Sequence, residues 1–162
     1  MLDDGSPRRV KVCDFGLARV LPPRSVKGAE GGGSRNLAGP LRWMAPESLR
    51  PEQGLTKFSY ASDVYSFGIT AFEVLIRDEP YPELQAHEAA FAVLQEGLRP
   101  PRARLPPHIN KGLSDLLSPV HVRPADAALV SLMESMWATN PADRPGMREV
   151  VDTLSSIRSM IK

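Results

Sequence analysis

Hydrophobic and polar positions change rhythm along this chain. Near the start, Arg9-Val10-Lys11-Val12-Cys13 alternates with period two, which predicts a short β segment opening onto Asp14. Residues 20–40 then carry Pro22-Pro23, Gly28 and Gly31-Gly32-Gly33 with little apolar content, which predicts a mobile loop. From residue 60 onward the rhythm is helical. Between Ala61 and Ile76, apolar residues at 64, 67, 71, 72 and 75, widened by Ile69 and Ile76, predict a deeply buried helix capped by Ser59 or Ser62. A second helix is expected within 84–96, carrying Leu84, Phe91, Val93 and Leu94 and ended by Gly97 and Pro100-Pro101. The clearest stripe is Leu129, Leu132, Met133, Met136 and Trp137, spaced i, i+3, i+4, i+7, i+8 and stopped by Asn140-Pro141. That regularity assigns its methionines and tryptophan to core packing rather than to a ligand face. A last helix starts near Gly146, with Glu149 at a capping-box position, and runs through Met147, Val150, Val151, Leu154 and Ile157.

Composition narrows the picture only modestly. A chain of 162 residues with 42% hydrophobic and 24% charged residues suits one compact domain. A net charge of +1 argues against a nucleic-acid binder. The single cysteine, Cys13, excludes an intramolecular disulfide and suits a reducing compartment. The longest apolar run, Phe67 to Ile76, is too short to cross a bilayer, and the N-terminus has no signal-peptide core. A cytoplasmic protein without a membrane segment is expected. The 16 prolines exceed the usual share of about 5%. They cluster between the helical stretches, as linkers do. His87, His108 and His121 share no metal-ligand spacing and receive no role.

Short blocks in a fixed order carry the chemistry. Asp14-Phe15-Gly16 follows the strand-like run; Trp43-Met44-Ala45-Pro46-Glu47 ends the loop; Asp63-Val64-Tyr65-Ser66-Phe67-Gly68 opens the first long helix; Asp143-Arg144-Pro145 precedes the last. Each block alone is weak, but their order and spacing are specific. Over nearly its whole length the chain resembles the C-terminal lobe of a eukaryotic protein kinase domain. It is nearest the tyrosine-kinase-like Ser/Thr kinases, with some features of tyrosine kinases. The resemblance implies a mainly α fold: the helical C-terminal lobe, with a short N-terminal β segment and an activation loop. Residues 8–47 would carry the metal-binding motif and activation segment, and 59–162 the helical subdomain.

The residue roles below follow from that resemblance. Asp14 would hold Mg²⁺ against the ATP phosphates, since a hard cation takes carboxylate oxygens. Phe15 and Gly16 would complete the cofactor-binding motif, Phe15 by its packing and Gly16 by its backbone freedom. Cys13 would border the nucleotide pocket, where the plain reading is a buried small hydrophobe rather than a reactive thiol. Gly39, Pro40, Leu41, Arg42 and Trp43 would form the loop that receives the substrate. Many tyrosine-kinase-like Ser/Thr kinases have threonine where Pro40 stands, and proline there is common in true tyrosine kinases. Hydroxyl specificity is therefore open between Ser/Thr and Tyr. Ser25 and Ser34 are the only hydroxyl candidates for phosphorylation between residues 17 and 42. Asp63 would steady the catalytic-loop backbone, and Glu47 with Arg144 would form a buried ion pair. The stretch 108–125 is longer than the family pattern and reads as a surface insertion.

The resemblance also defines what is not here. No phosphate-covering glycine loop, nucleotide-contacting lysine or catalytic-loop aspartate is found in the sequence. Met1-Leu2-Asp3-Asp4-Gly5 resembles the stretch after the catalytic loop, which suggests that Met1 is internal to a longer kinase. With the rest of that kinase, the chain would transfer the ATP γ-phosphate to a protein hydroxyl. Alone it is expected to be inactive and to hold neither Mg²⁺ nor ATP tightly. The expected partners are a protein substrate and the kinase N-lobe or upstream domains of the same protein. The alternative is a non-catalytic binding or decoy module.

Overall fold

The computed structural model describes residues 11–13, 15–18, 40–50, 58–106, 109 and 123–161. All regular elements among them are helical. They begin with a 3₁₀ turn at Phe15–Leu17, another at Leu41–Trp43, and a four-residue helix α1 (Pro46–Leu49). The central helix α2 (Tyr60–Ile76) follows, then α3 (Ala86–Phe91), which continues as a π-helical turn over Ala92–Glu96. The last two long helices are α4 (Pro124–Met136) and α5 (Met147–Met160).

Local sequence explains where each helix starts and stops. At the head of α2 both expected serines act together. Ser59 Oγ accepts from the Ser62 N–H at 3.1 Å, and Ser62 Oγ accepts from the Ser59 N–H at 2.8 Å. The far end closes on Arg77, a left-handed residue at φ 56°. Beyond α3, the π-helical turn stops at Gly97, whose φ of 68° suits a residue without Cβ. Helix α4 opens five residues before its apolar stripe. Pro124 takes the first helical position, where its missing N–H costs nothing, and Arg123 pairs with Asp126 at 2.9 Å. Its end is followed by a 3₁₀ turn at Pro141–Asp143, capped by Asn140 Oδ1 accepting from the Ala142 N–H at 3.1 Å. At α5 the capping box expected with Glu149 is absent. The N-cap is Gly146, which has no side chain to complete it.

Packing centres on α2. Val64, Tyr65, Ile69 and Phe72 are buried there against Val130, Leu132, Met133 and Met136 of α4, with Trp137 after it and Val150 and Ile157 of α5. Phe72 and Trp137 meet edge-on, 6.1 Å between ring centres and 87° between planes. Gly68 makes the closest approach, for an added Cβ would sit 2.9 Å from Met136 Cβ. A smaller cluster gathers Met44, Leu49, Tyr81, Ala89 and Val93 beneath the Leu41–Trp43 turn.

Three expectations change. Phe67, placed by periodicity on the buried stripe of α2, faces outward at 39% exposure; Tyr65 takes the inner position. Lys11, Val12 and Cys13 form no strand, and all three are exposed. A strand is stable only when a neighbour satisfies its backbone groups, and the described residues offer none. The 108–125 stretch is less of a surface excursion than expected at its edges. Ile109 is buried in the core, and Pro124 and Ala125 form the first turn of α4. Residues 110–122 lie outside the described set, as do the first ten residues and most of the expected loop.

Candidate active-site cleft

The 3₁₀ turn at Phe15–Leu17, the Leu41–Trp43 turn and the first half of α2 enclose a mostly apolar cleft of about 580 Å³. Cys13 and Phe15 line one side, Pro40 and Trp43 another, and Asp63 and Thr70 the α2 wall. Two side chains of the expected metal motif's neighbourhood, two of the expected substrate loop and the central-helix aspartate thus share one cavity. Asp14 itself, Gly39, Ser25 and Ser34 lie outside the described residues. Gly16 lies within the first 3₁₀ turn. Cys13 is exposed, not buried: among the described residues nothing packs over the Lys11–Cys13 run to shield it. Phe15 is likewise 68% exposed.

The residues expected to form the substrate loop are tied down by polar contacts to α2 and the segment after it. Trp43 Nε1 donates to Glu73 Oε2 at 2.8 Å, and Ser66 Oγ donates to the Trp43 carbonyl at 2.8 Å. Arg42 folds onto the segment after α2. Its Nη1 donates to the carbonyls of Tyr81 at 2.8 Å and Pro80 at 3.2 Å, and Nη2 pairs with Glu79 at 3.3 Å. Those bonds hold Tyr81 at φ 55°, a left-handed conformation disfavoured for a bulky residue. Arg42 therefore positions the loop, a role that its place in the motif did not announce.

Glu47 and Arg144 form the expected pair. Arg144 Nη1 and Nη2 donate to Glu47 Oε1 and Oε2 at 2.6 and 2.9 Å, and the Arg144 side chain is fully buried. Arg144 also donates to the carbonyls of Ala61 at 3.0 Å and Ala138 at 2.9 Å. One guanidinium thus ties α1, the head of α2 and the end of α4 together with charge-assisted bonds. Sequence reasoning missed its neighbours. The Tyr65 ring has Arg144 5.0 Å and Arg99 5.5 Å from its centre, a double cation–π contact. The signal was present, since Tyr65 sits inside the Asp63–Gly68 block, but which arginines fold onto it is a tertiary fact.

Asp63 stands apart. Among the described residues no side chain pairs with its carboxylate, and the adjoining cleft wall raises its pKa above 3.8 by desolvation. Burial likewise pushes up the Tyr65 and Tyr81 phenols, whose hydroxyls have no hydrogen-bond partner among the described residues. No group of three His, Cys, Asp or Glu side chains among the described residues could hold a metal ion, and no described helix is long and apolar enough to cross a membrane.

Comparison with known proteins agrees with this architecture. The model of the family described as protein tyrosine and serine/threonine kinase matches residues 2–154. The serine/threonine-protein kinases STY17 and STY46 of Arabidopsis thaliana are each 32% identical over 148 residues, which is 91% of this chain. The mast/stem cell growth factor receptor Kit of Canis lupus familiaris is 30% identical over the same length. The chain spans only 21%, 20% and 12% of these three relatives. With a family match over most of its length and a helical body like the kinase C-terminal lobe, the chain belongs to the protein tyrosine and serine/threonine kinase family.

Proposed function

We propose that this chain supplies the metal-binding and substrate-receiving portion of a protein kinase that transfers the ATP γ-phosphate to Ser or Thr hydroxyls of a protein, with Tyr as the other hydroxyl class. The observation that carries the reading is the shared cleft, where Cys13 and Phe15 flank Asp14 in sequence and face Pro40, Trp43 and Asp63. Residues 8–47 serve as metal motif and activation segment, and 59–162 as the helical support. The place of action is the cytoplasm.

The family generally uses Mg²⁺ and ATP. Mg²⁺ takes one or two carboxylates together with phosphate oxygens, and the bound ion neutralises charge on the phosphoryl group. Asp14 is the residue assigned to it. One carboxylate is a sparse ligand set, so tight binding calls on the phosphate oxygens of ATP and a further ligand. Within the chain, Trp43 and Arg42 orient the substrate loop, and Asp63 offers a carboxylate to a partner backbone.

The rest of the kinase domain is the partner assigned to the outer face of α2. Asp63, Phe67, Thr70 and Val74 recur there at i, i+4, i+7 and i+11, all exposed, and Phe15 extends the face. Such a stripe on the central helix suits coverage by protein. The deciding experiment captures the endogenous protein with an antibody against residues 126–162, measures its mass and assays phosphoryl transfer from labelled ATP. A species heavier than 17.7 kDa with Mg²⁺-dependent transfer, lost in Asp14→Asn, supports the kinase. A 17.7 kDa species that retains protein partners without ATP supports a non-catalytic module.

A further inference from the structure

A second pocket, about 320 Å³, lies between α1, the π-helical turn after α3 and the loop following α4, and shares no residue with the cleft. Arg50, Arg99 and Thr139 line it. Neither arginine has a carboxylate partner among the described residues. Arg50 Nη2 donates to the Leu94 carbonyl at 3.3 Å, and among the described residues its other N–H groups have no partner. Arg99 donates to the carbonyls of Trp137 at 2.9 Å and Leu98 at 2.8 Å, and to Thr139 Oγ1 at 3.1 Å. Because Thr139 accepts that bond, its own hydroxyl proton remains available to an anion. Glu47 is the carboxylate in the wall, and both its oxygens are gripped by Arg144. Pro46 and Pro141 add apolar wall beside the charged end.

We propose that this pocket binds an organic phosphomonoester, its phosphate between Arg50 and Arg99 and its ester group against the two prolines. Two guanidiniums in one pocket match a phosphate dianion in charge and offer the donors it takes, whereas a carboxylate would leave one of them uncompensated. The volume, at the small end of ligand pockets, fits one phosphorylated side chain or a small ester. The inference stands independently of the kinase reading, because it uses none of the cleft residues.

The test is a nuclear magnetic resonance titration of the full chain with phenyl phosphate, following the Gly97 and Thr139 amides. Saturable shifts are expected, absent with phenol, and about tenfold weaker binding in Arg50→Gln. Arg50 is exposed and makes one backbone bond, so the variant should keep its melting temperature. If it does not fold, raised ionic strength must weaken phenyl phosphate binding to the unaltered chain. Tighter binding of a phosphotyrosine peptide than of phenyl phosphate supports a phosphoprotein as the source; weaker binding supports a small ester. No saturable binding, equal shifts with phenol, unchanged affinity in a folded Arg50→Gln, or salt-insensitive binding overturns the proposal.

Discussion

Arg144 is the side chain on which polar contacts from α1, the head of α2 and the segment after α4 converge. Its removal strands Glu47 and leaves the Ala61 and Ala138 carbonyls short of a donor. Breaking a buried pair costs about 3–5 kcal/mol. Arg144→Ala is therefore expected to shift urea unfolding by that order, with Arg144→Lys losing less; an unchanged midpoint would refute the assignment. Asp63 makes the opposite prediction. Its folded pKa is raised, so the folded state binds the proton more tightly and stability falls as pH rises from 3.8 through the folded value. Asp63→Asn should remove that fall, giving a modestly higher melting temperature at neutral pH and no difference well below pH 3.8. Melting curves across this range check it. The Glu47–Arg144 pair was legible because two short motifs carry it. The task of Arg42 was not, since its partners are the carbonyls of Pro80 and Tyr81, which no side-chain pattern records.

At the scale of elements, the contact between α2 and α4 depends on Gly68. Alanine is the better helix former by about 1 kcal/mol, but here its Cβ meets Met136 Cβ at 2.9 Å, an atom fixed to the backbone. Separating the helices should outweigh the propensity gain. Gly68→Ala is expected to destabilise by about 1–3 kcal/mol in denaturant unfolding. Helix existence was readable from periodicity, and the Ser59–Ser62 box from local chemistry. The inner face of α2 was less so. Phe67 and Tyr65 are both aromatic, and only the positions of α4 and α5 decide that Tyr65 turns inward. The early start of α4 escaped notice because its first turn, Pro124 to Asp126, carries a proline and an acid rather than an apolar stripe.

For the whole molecule, the outer face of α2 separates the chain alone from the chain within a longer kinase. Val74 is 69% exposed, so Val74→Lys should leave the melting temperature of the isolated chain nearly unchanged. In the longer protein, where the proposed partner covers that face, the same change buries a charge and should reduce folded yield and phosphoryl transfer together. Equal tolerance in both settings would place the proposed partner elsewhere. The family was legible from four short motifs. The second pocket was not, because Arg50, Arg99 and Thr139 belong to no motif and meet only through the fold.

The bond between Glu47 and Arg144 joins residues 97 positions apart. On a ribosome, the acid is made long before its partner and must wait, uncommitted, while α2, α3 and α4 emerge. Closure of this pair is thus a late event, possible only once Arg144 has left the exit tunnel. A chain stalled before residue 144 would present α1 without its anchor, which marks the interval when the nascent protein most needs a chaperone.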